Sequence, residues 1–180
     1  AAVLPGTDPI HKVSVVSRGR AAGYTLKLPT EDRHLYSKSH FLNELAVSLG
    51  GYASEKLIFN DITTGAADDI RRATDVARAL ATKYGMSEKL GPMTFGDREE
   101  LVFLGREIAT EKNYSESVAT LIDEEVSKFM KNAFKTAKEI LAKHKKILDA
   151  IAGRLMEKET IEKDEFRELV NALGLNYQVA

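Results

Sequence analysis

The chain contains no cysteine. That removes a disulfide framework and every thiolate zinc site, and it suits a reducing compartment. No stretch approaches the ~18 consecutive apolar residues that a membrane-spanning helix needs, and no segment reads as a secretory signal. An excess of one charge is also missing, with 26 basic residues against 27 acidic ones. Neither nucleic acid nor an anionic membrane surface would be drawn to such a balance, and aromatic–basic clusters are lacking too. A soluble chain with no nucleic-acid partner is expected. The four histidines, His11, His34, His40 and His144, include no pair four residues apart, so no helix can offer two imidazoles on adjacent turns to one metal.

What the chain does have is helical periodicity. Its 180 residues suit one domain with a substantial core. Val13, Val15 and Val16 form a β-branched run, and Gly23 to Leu28 alternates toward Pro29. Arg18-Gly19-Arg20 between them predicts the loop of a small β-ribbon. Ser37 caps a helical pattern through Leu42, Leu45, Ala46, Leu49, Ala53 and Leu57. Gly50-Gly51 inside it weakens the helix by about 1 kcal/mol each, for which close approach of another backbone is the expected reason. A helix from Ala66 to Tyr84 ends at Gly85, and residues 91–113 read as a long connection. Ser115 then caps a long helix with the stripe Val118, Ile122, Val126, Phe129, Ala133, Ala137 and Ile140. Helical stretches at His144 to Glu157 and Thr160 to Leu173 follow. The predicted fold is mainly α, a helical array with a small β-ribbon near the N-terminus.

One residue breaks the pattern. In the helix from Ala66, the apolar positions are Ala66, Ile70, Ala73, Val76, Ala77, Leu80 and Tyr84. Asp68, Arg71, Arg72, Asp75 and Arg78 occupy the polar face, with Asp68 four residues before Arg72 and Asp75 near Arg71 and Arg78. Asp69 falls on the apolar stripe. A carboxylate buried there needs a cation, a donor network or a metal. Spacing leaves two readings open: an acid bonded to backbone N–H groups in the first helical turn, or a metal ligand.

Several blocks in order resemble one family. Thr64-Gly65-Ala66-Ala67-Asp68-Asp69-Ile70, with Ala73-Thr74 and Ala77-Arg78, resembles the helix that supplies the third zinc ligand in FtsH-type AAA metalloproteases. Leu4-Pro5-Gly6, His11-Lys12-Val13, Arg18-Gly19-Arg20-Ala21, Gly23-Tyr24-Thr25 and Leu28-Pro29 resemble the segment just after that family's zinc motif. Leu49-Gly50-Gly51 with Ala53, Glu55 and Phe59 matches, as does Gly85 to Pro92. Phe103-Leu104-Gly105, Ile122 to Val126 and Leu155 to Thr160 complete the series. Ser17 stands where the family usually has proline, and Tyr52, Ser54 and Lys56 replace the commoner arginine, alanine and glutamate.

The resemblance implies an ATP-dependent zinc metalloendopeptidase degrading unfolded, short-lived or membrane proteins. Residues 1–180 would be one peptidase domain, with 1–92 on the zinc and substrate side and 93–180 a helical part. Asp69 would be the third zinc ligand, beside two histidines of a His-Glu-x-x-His motif whose glutamate is the general base. That motif is not in this sequence. It is expected a few residues upstream of Ala1, in keeping with the absence of an initiator methionine, so no catalytic residue is assigned and the chain is expected to be inactive alone. Glu55 would orient a ligating histidine from outside the coordination sphere. None of the four histidines is assigned to zinc. Gly23, Tyr24, Thr25 and Leu26 would form an edge strand that captures substrate by main-chain pairing, or would merely pack under the helices. In the intact protein an AAA domain would use ATP, the domains would form a homo-hexamer, and upstream segments would anchor it to the cytoplasmic face of the bacterial inner membrane or to an organellar membrane. The alternative is a non-catalytic helical oligomerisation module, a pseudo-protease.

Overall fold

The computed structural model describes residues 1–17, 23–29, 35–96 and 114–177. Three strands, β1 (Ile10–Ser14), β2 (Tyr24–Lys27) and β3 (Thr160–Glu162), form an antiparallel sheet in the order β2-β1-β3. The ribbon predicted near the N-terminus is therefore real but gains a third strand from far along the chain. Val13 pairs with Thr25 on one side and Ile161 on the other. Val15 and Val16, expected within the first strand, lie just beyond it and are exposed. Arg18-Gly19-Arg20, His34 and Phe103-Leu104-Gly105 lie outside the described residues, as does most of the 91–113 connection.

Six helices follow among the described residues: α1 (Lys38–Ser48), α2 (Gly50–Ile58), α3 (Ala67–Thr82), α4 (Glu116–Lys143), α5 (Lys145–Lys158) and α6 (Lys163–Ala172). Ser37 accepts a hydrogen bond from the His40 N–H and Ser115 one from the Val118 N–H, the side-chain caps expected at these starts. The single helix predicted from Ser37 to Leu57 is two. It breaks at Leu49, whose ψ of 2° leaves the helical range. Gly50 and Gly51 open α2 at this joint, and a Cβ on either would meet nothing within 4 Å. They mark a break, not the close backbone approach expected for them. The third C-terminal helix also starts later than predicted. Glu159 turns left-handed (φ 60°) after α5, and residues 160–162 become β3, burying Ile161 completely.

Two apolar cores result. The first is built by α1, α3 and α4 around Leu45, Leu49, Ala73, Ala77, Leu80, Ile122, Val126 and Phe129. Small residues on α3 bring its backbone close to α4, whose stripe lies as its spacing predicts. Tyr52, one of the departures from the family pattern, stacks edge-on against Phe134 of α4 at 5.4 Å. Met86 packs against this core, while Met93 is exposed. The second core joins both ends of the chain: Ile10 meets Ile147, Leu155, Ile161, Phe166, Val170 and Tyr177. The Ile10 N–H donates to the Tyr177 hydroxyl at 2.9 Å.

Candidate metal centre

The local sequence explains how α3 starts and stops. Thr63, in extended conformation, accepts the Gly65 N–H on its hydroxyl at 3.1 Å and opens a short 3-10 turn, Thr64–Ala66, that runs into α3. At the other end Gly85 takes φ 60°, and the Met86 N–H reaches back to the Leu80 carbonyl at 3.0 Å. This left-handed glycine closure satisfies the last carbonyls of the helix.

Asp69 sits in the first turn of α3 and is not buried. Its side chain is 42 % exposed, and Arg72, one turn on, donates from Nη2 to its Oδ1. Ala66, just before α3, is buried and Ile70 packs against the first core, but Asp69 lies at the edge of that face, where Arg72 and solvent reach it. Asp68 does not pair with Arg72 as expected; it accepts from Arg71 Nη2 at 2.8 Å instead. Arg78 reaches Asp123 of α4 at 3.5 Å and not Asp75. The aspartate–arginine pairs of this turn thus run at three-residue spacing, on an exposed surface where each contributes about 0.2–0.5 kcal/mol.

Glu55, on α2, points at the turn before α3. Its Oε2 accepts the Thr63 backbone N–H at 2.8 Å, and its Oε1 accepts the Thr63 hydroxyl at the same distance. Thr63 was not singled out in the sequence, although a threonine two residues before a glycine at a helix start is a recognisable capping signal. Gly65 completes the arrangement. A Cβ there would lie 3.2 Å from the Thr63 hydroxyl and 3.5 Å from Glu55 Oε1.

Tyr24, Thr25 and Leu26 lie in β2, an edge strand, and Gly23 directly precedes it. Gly23 is required sterically: a Cβ would come within 2.6 Å of the Ser14 carbonyl oxygen of β1. Lys27 ends β2 with an ion pair to Glu44 of α1 at 2.9 Å, tying the strand to the helical array. Among the described histidines, His11 is exposed on β1 at a register slip. His40 places Nδ1 2.9 Å from the Gly6 carbonyl oxygen, and His144 forms the joint between α4 and α5. Among the described residues no three histidines, cysteines or acids are grouped to hold a metal. The described residues therefore do not make a zinc centre by themselves; the Asp69 carboxylate is a single oxygen donor.

A sequence model of peptidase family M41 matches residues 1–169. The chain belongs to peptidase family M41. M41 relatives include the ATP-dependent zinc metalloprotease FtsH 1 of Sphaerobacter thermophilus, 53% identical over 169 residues that make up 94% of this chain and 26% of that protein. The ATP-dependent zinc metalloprotease FtsH of Thermotoga maritima is 50% identical over 94% of this chain and 28% of its own length. That of Caldicellulosiruptor bescii is 50% identical over 93% of this chain and 27% of its own. The chain spans about a quarter of the length of the curated M41 relatives it matches. Among the described residues no helix is long and apolar enough to cross a membrane.

Proposed function

We propose that this chain serves as peptidase-domain sequence of an ATP-dependent zinc metalloendopeptidase, in which Asp69 is the protein's carboxylate zinc donor. The observation that carries the reading is family membership over 1–169 combined with an acid held at the start of α3 with one side open to solvent. The relatives' names supply zinc, ATP and proteolysis. Zinc in catalytic sites takes three protein donors and leaves a position for water. The two histidine donors and the general base are absent from these 180 residues, so this chain has no catalytic residue of its own. Its contribution is to hold one donor, to offer β2 as the edge on which an extended peptide can add a strand through main-chain bonds, and to supply helical surface for a hexamer. The same reading gives the intact protein an ATPase that delivers unfolded or membrane proteins to that hexamer, anchored at a membrane by segments outside these residues.

Replacing Asp69 by asparagine in the intact protein tests the donor assignment. Asp69→Asn should lower zinc affinity by more than the ~10–100-fold that changes outside the coordination sphere typically cause. Proteolysis of casein should fall with it while ATP hydrolysis continues. Unchanged zinc content would refute the assignment.

A non-catalytic oligomerisation module is the second reading, and one observation favours it. Asp69 is half-exposed and neutralised by Arg72, so keeping it without a metal carries none of the penalty of a buried lone charge. Zinc binding by the intact protein separates the two readings.

A further inference from the structure

Both carboxylate oxygens of Glu55 are committed to one residue. Oε2 takes the Thr63 N–H and Oε1 the Thr63 hydroxyl, each at 2.8 Å. The same hydroxyl oxygen accepts the Gly65 N–H at 3.1 Å, inside the turn that becomes α3. A continuous chain of hydrogen bonds thus links the α2 carboxylate to the backbone four residues before Asp69. Among the described residues no other side-chain hydrogen bond ties this turn to α2, while Ile58, Phe59 and Ile62 at the end of α2 and in the loop are exposed and give the loop little apolar anchorage. The turn is therefore held by these polar contacts together with the burial of Ala66 at its end, and hydrogen bonds to a charged carboxylate are the stronger class. Gly65 is confined by the same contacts, since a Cβ there would press on Thr63 Oγ at 3.2 Å and Glu55 Oε1 at 3.5 Å.

We infer that Glu55 is a positioning residue that acts through Thr63, and not through a histidine ring: it fixes the Thr63–Ala66 turn, and with it the placement of Asp69 for zinc. The inference rests on the donor role proposed above for Asp69. A ligand carboxylate must be held to within a fraction of an ångström to keep its metal, and groups outside the coordination sphere supply that restraint. Glutamine can keep the clamp, because its carbonyl accepts the Thr63 N–H and its amide donates to the Thr63 hydroxyl oxygen. Alanine at 55 removes both bonds; valine at 63 keeps the backbone N–H and loses the hydroxyl.

Two measurements on Glu55→Ala, Glu55→Gln, Thr63→Val and the Glu55→Ala/Thr63→Val double variant decide it. In the intact protein, zinc affinity measured against a competing chelator should fall ~10–100-fold for Glu55→Ala, should fall for Thr63→Val, and should recover with Glu55→Gln. The double variant should lose no more than Glu55→Ala alone, because the two residues form one unit. In the present chain, without metal, amide exchange at Thr63 and Gly65 should accelerate in Glu55→Ala while exchange along α4 is unchanged. Unaltered exchange at Thr63 and Gly65, additive losses in the double variant, or a zinc defect confined to Glu55→Ala with Thr63→Val normal would each overturn the clamp. Failure of the donor reading is recognised separately, by Asp69→Asn retaining zinc while the exchange changes persist.

Discussion

Arg72 is the residue that most changes the physical picture of this site. It gives Asp69 a cation at the start of α3, where helical spacing alone placed the acid among apolar neighbours. Spacing identifies which residues share a face, but not where the edge of the buried part of that face lies. Asp68, Asp69 and their arginines lie in the stretch that α3 shows to solvent before Ala73. Residue-level chemistry was legible where it depends on local rules, as at Ser37, Ser115 and Gly85. It was not legible for Thr63 and Glu55, which lie eight positions apart and bond across the end of α2 and the loop after it. Gly85 offers a direct test of the local rules. With φ at 60° and an added Cβ 3.1 Å from the Pro92 Cα, Gly85→Ala should destabilise the chain by about 1–2 kcal/mol from the left-handed backbone alone, and by more if Pro92 cannot shift. Urea unfolding measures it, and an unchanged midpoint would mean that the turn after α3 is not held as described.

Among the elements, the helices were readable and the sheet only in part. The stripe of α4 follows its spacing over 28 residues, long enough for periodicity to outweigh ambiguity. By contrast β3 is three residues long and pairs with β1 across most of the sequence. Its Thr-Ile-Glu carries no signal that separates it from the helix it precedes. The split between α1 and α2 was masked because the apolar spacing continues across Leu49. At the far end, α5 and α6 are joined through Glu165, which accepts from Arg154 Nε at 2.6 Å and Lys158 Nζ at 3.0 Å. The Lys158 and Arg154 hydrogen bonds hold the Glu165 carboxyl below its ordinary value of 4.5. A lowered folded-state value stabilises the fold above the ordinary value and is lost as pH falls through the lowered one. The stability difference between wild type and Glu165→Gln should therefore be constant near neutrality and shrink in acid. Thermal unfolding across pH 7 to 3 measures it, and a difference that grows in acid would contradict the ion-pair description.

For the molecule as a whole, the two cores explain why so much of the chain is needed to place one acid. α3 is set by α1 and α4 within the first core, and the sheet carrying β2 is closed by the last residues through Ile10, Ile161 and Tyr177. Family membership was legible because its blocks recur in order along nearly the entire sequence, whereas a metal centre was not, because the sequence holds no His-Glu-x-x-His. The chain alone should therefore show no zinc-dependent hydrolysis of casein, and measurable turnover removed by a chelator would show that a complete site exists within it. The most direct test of the central claim is an anomalous-scattering map of crystals of the intact protein, collected at the zinc edge. A peak about 2.0–2.2 Å from an Asp69 carboxylate oxygen, with Arg72 displaced from it, is the predicted result. A zinc peak whose coordination sphere excludes Asp69 would contradict it.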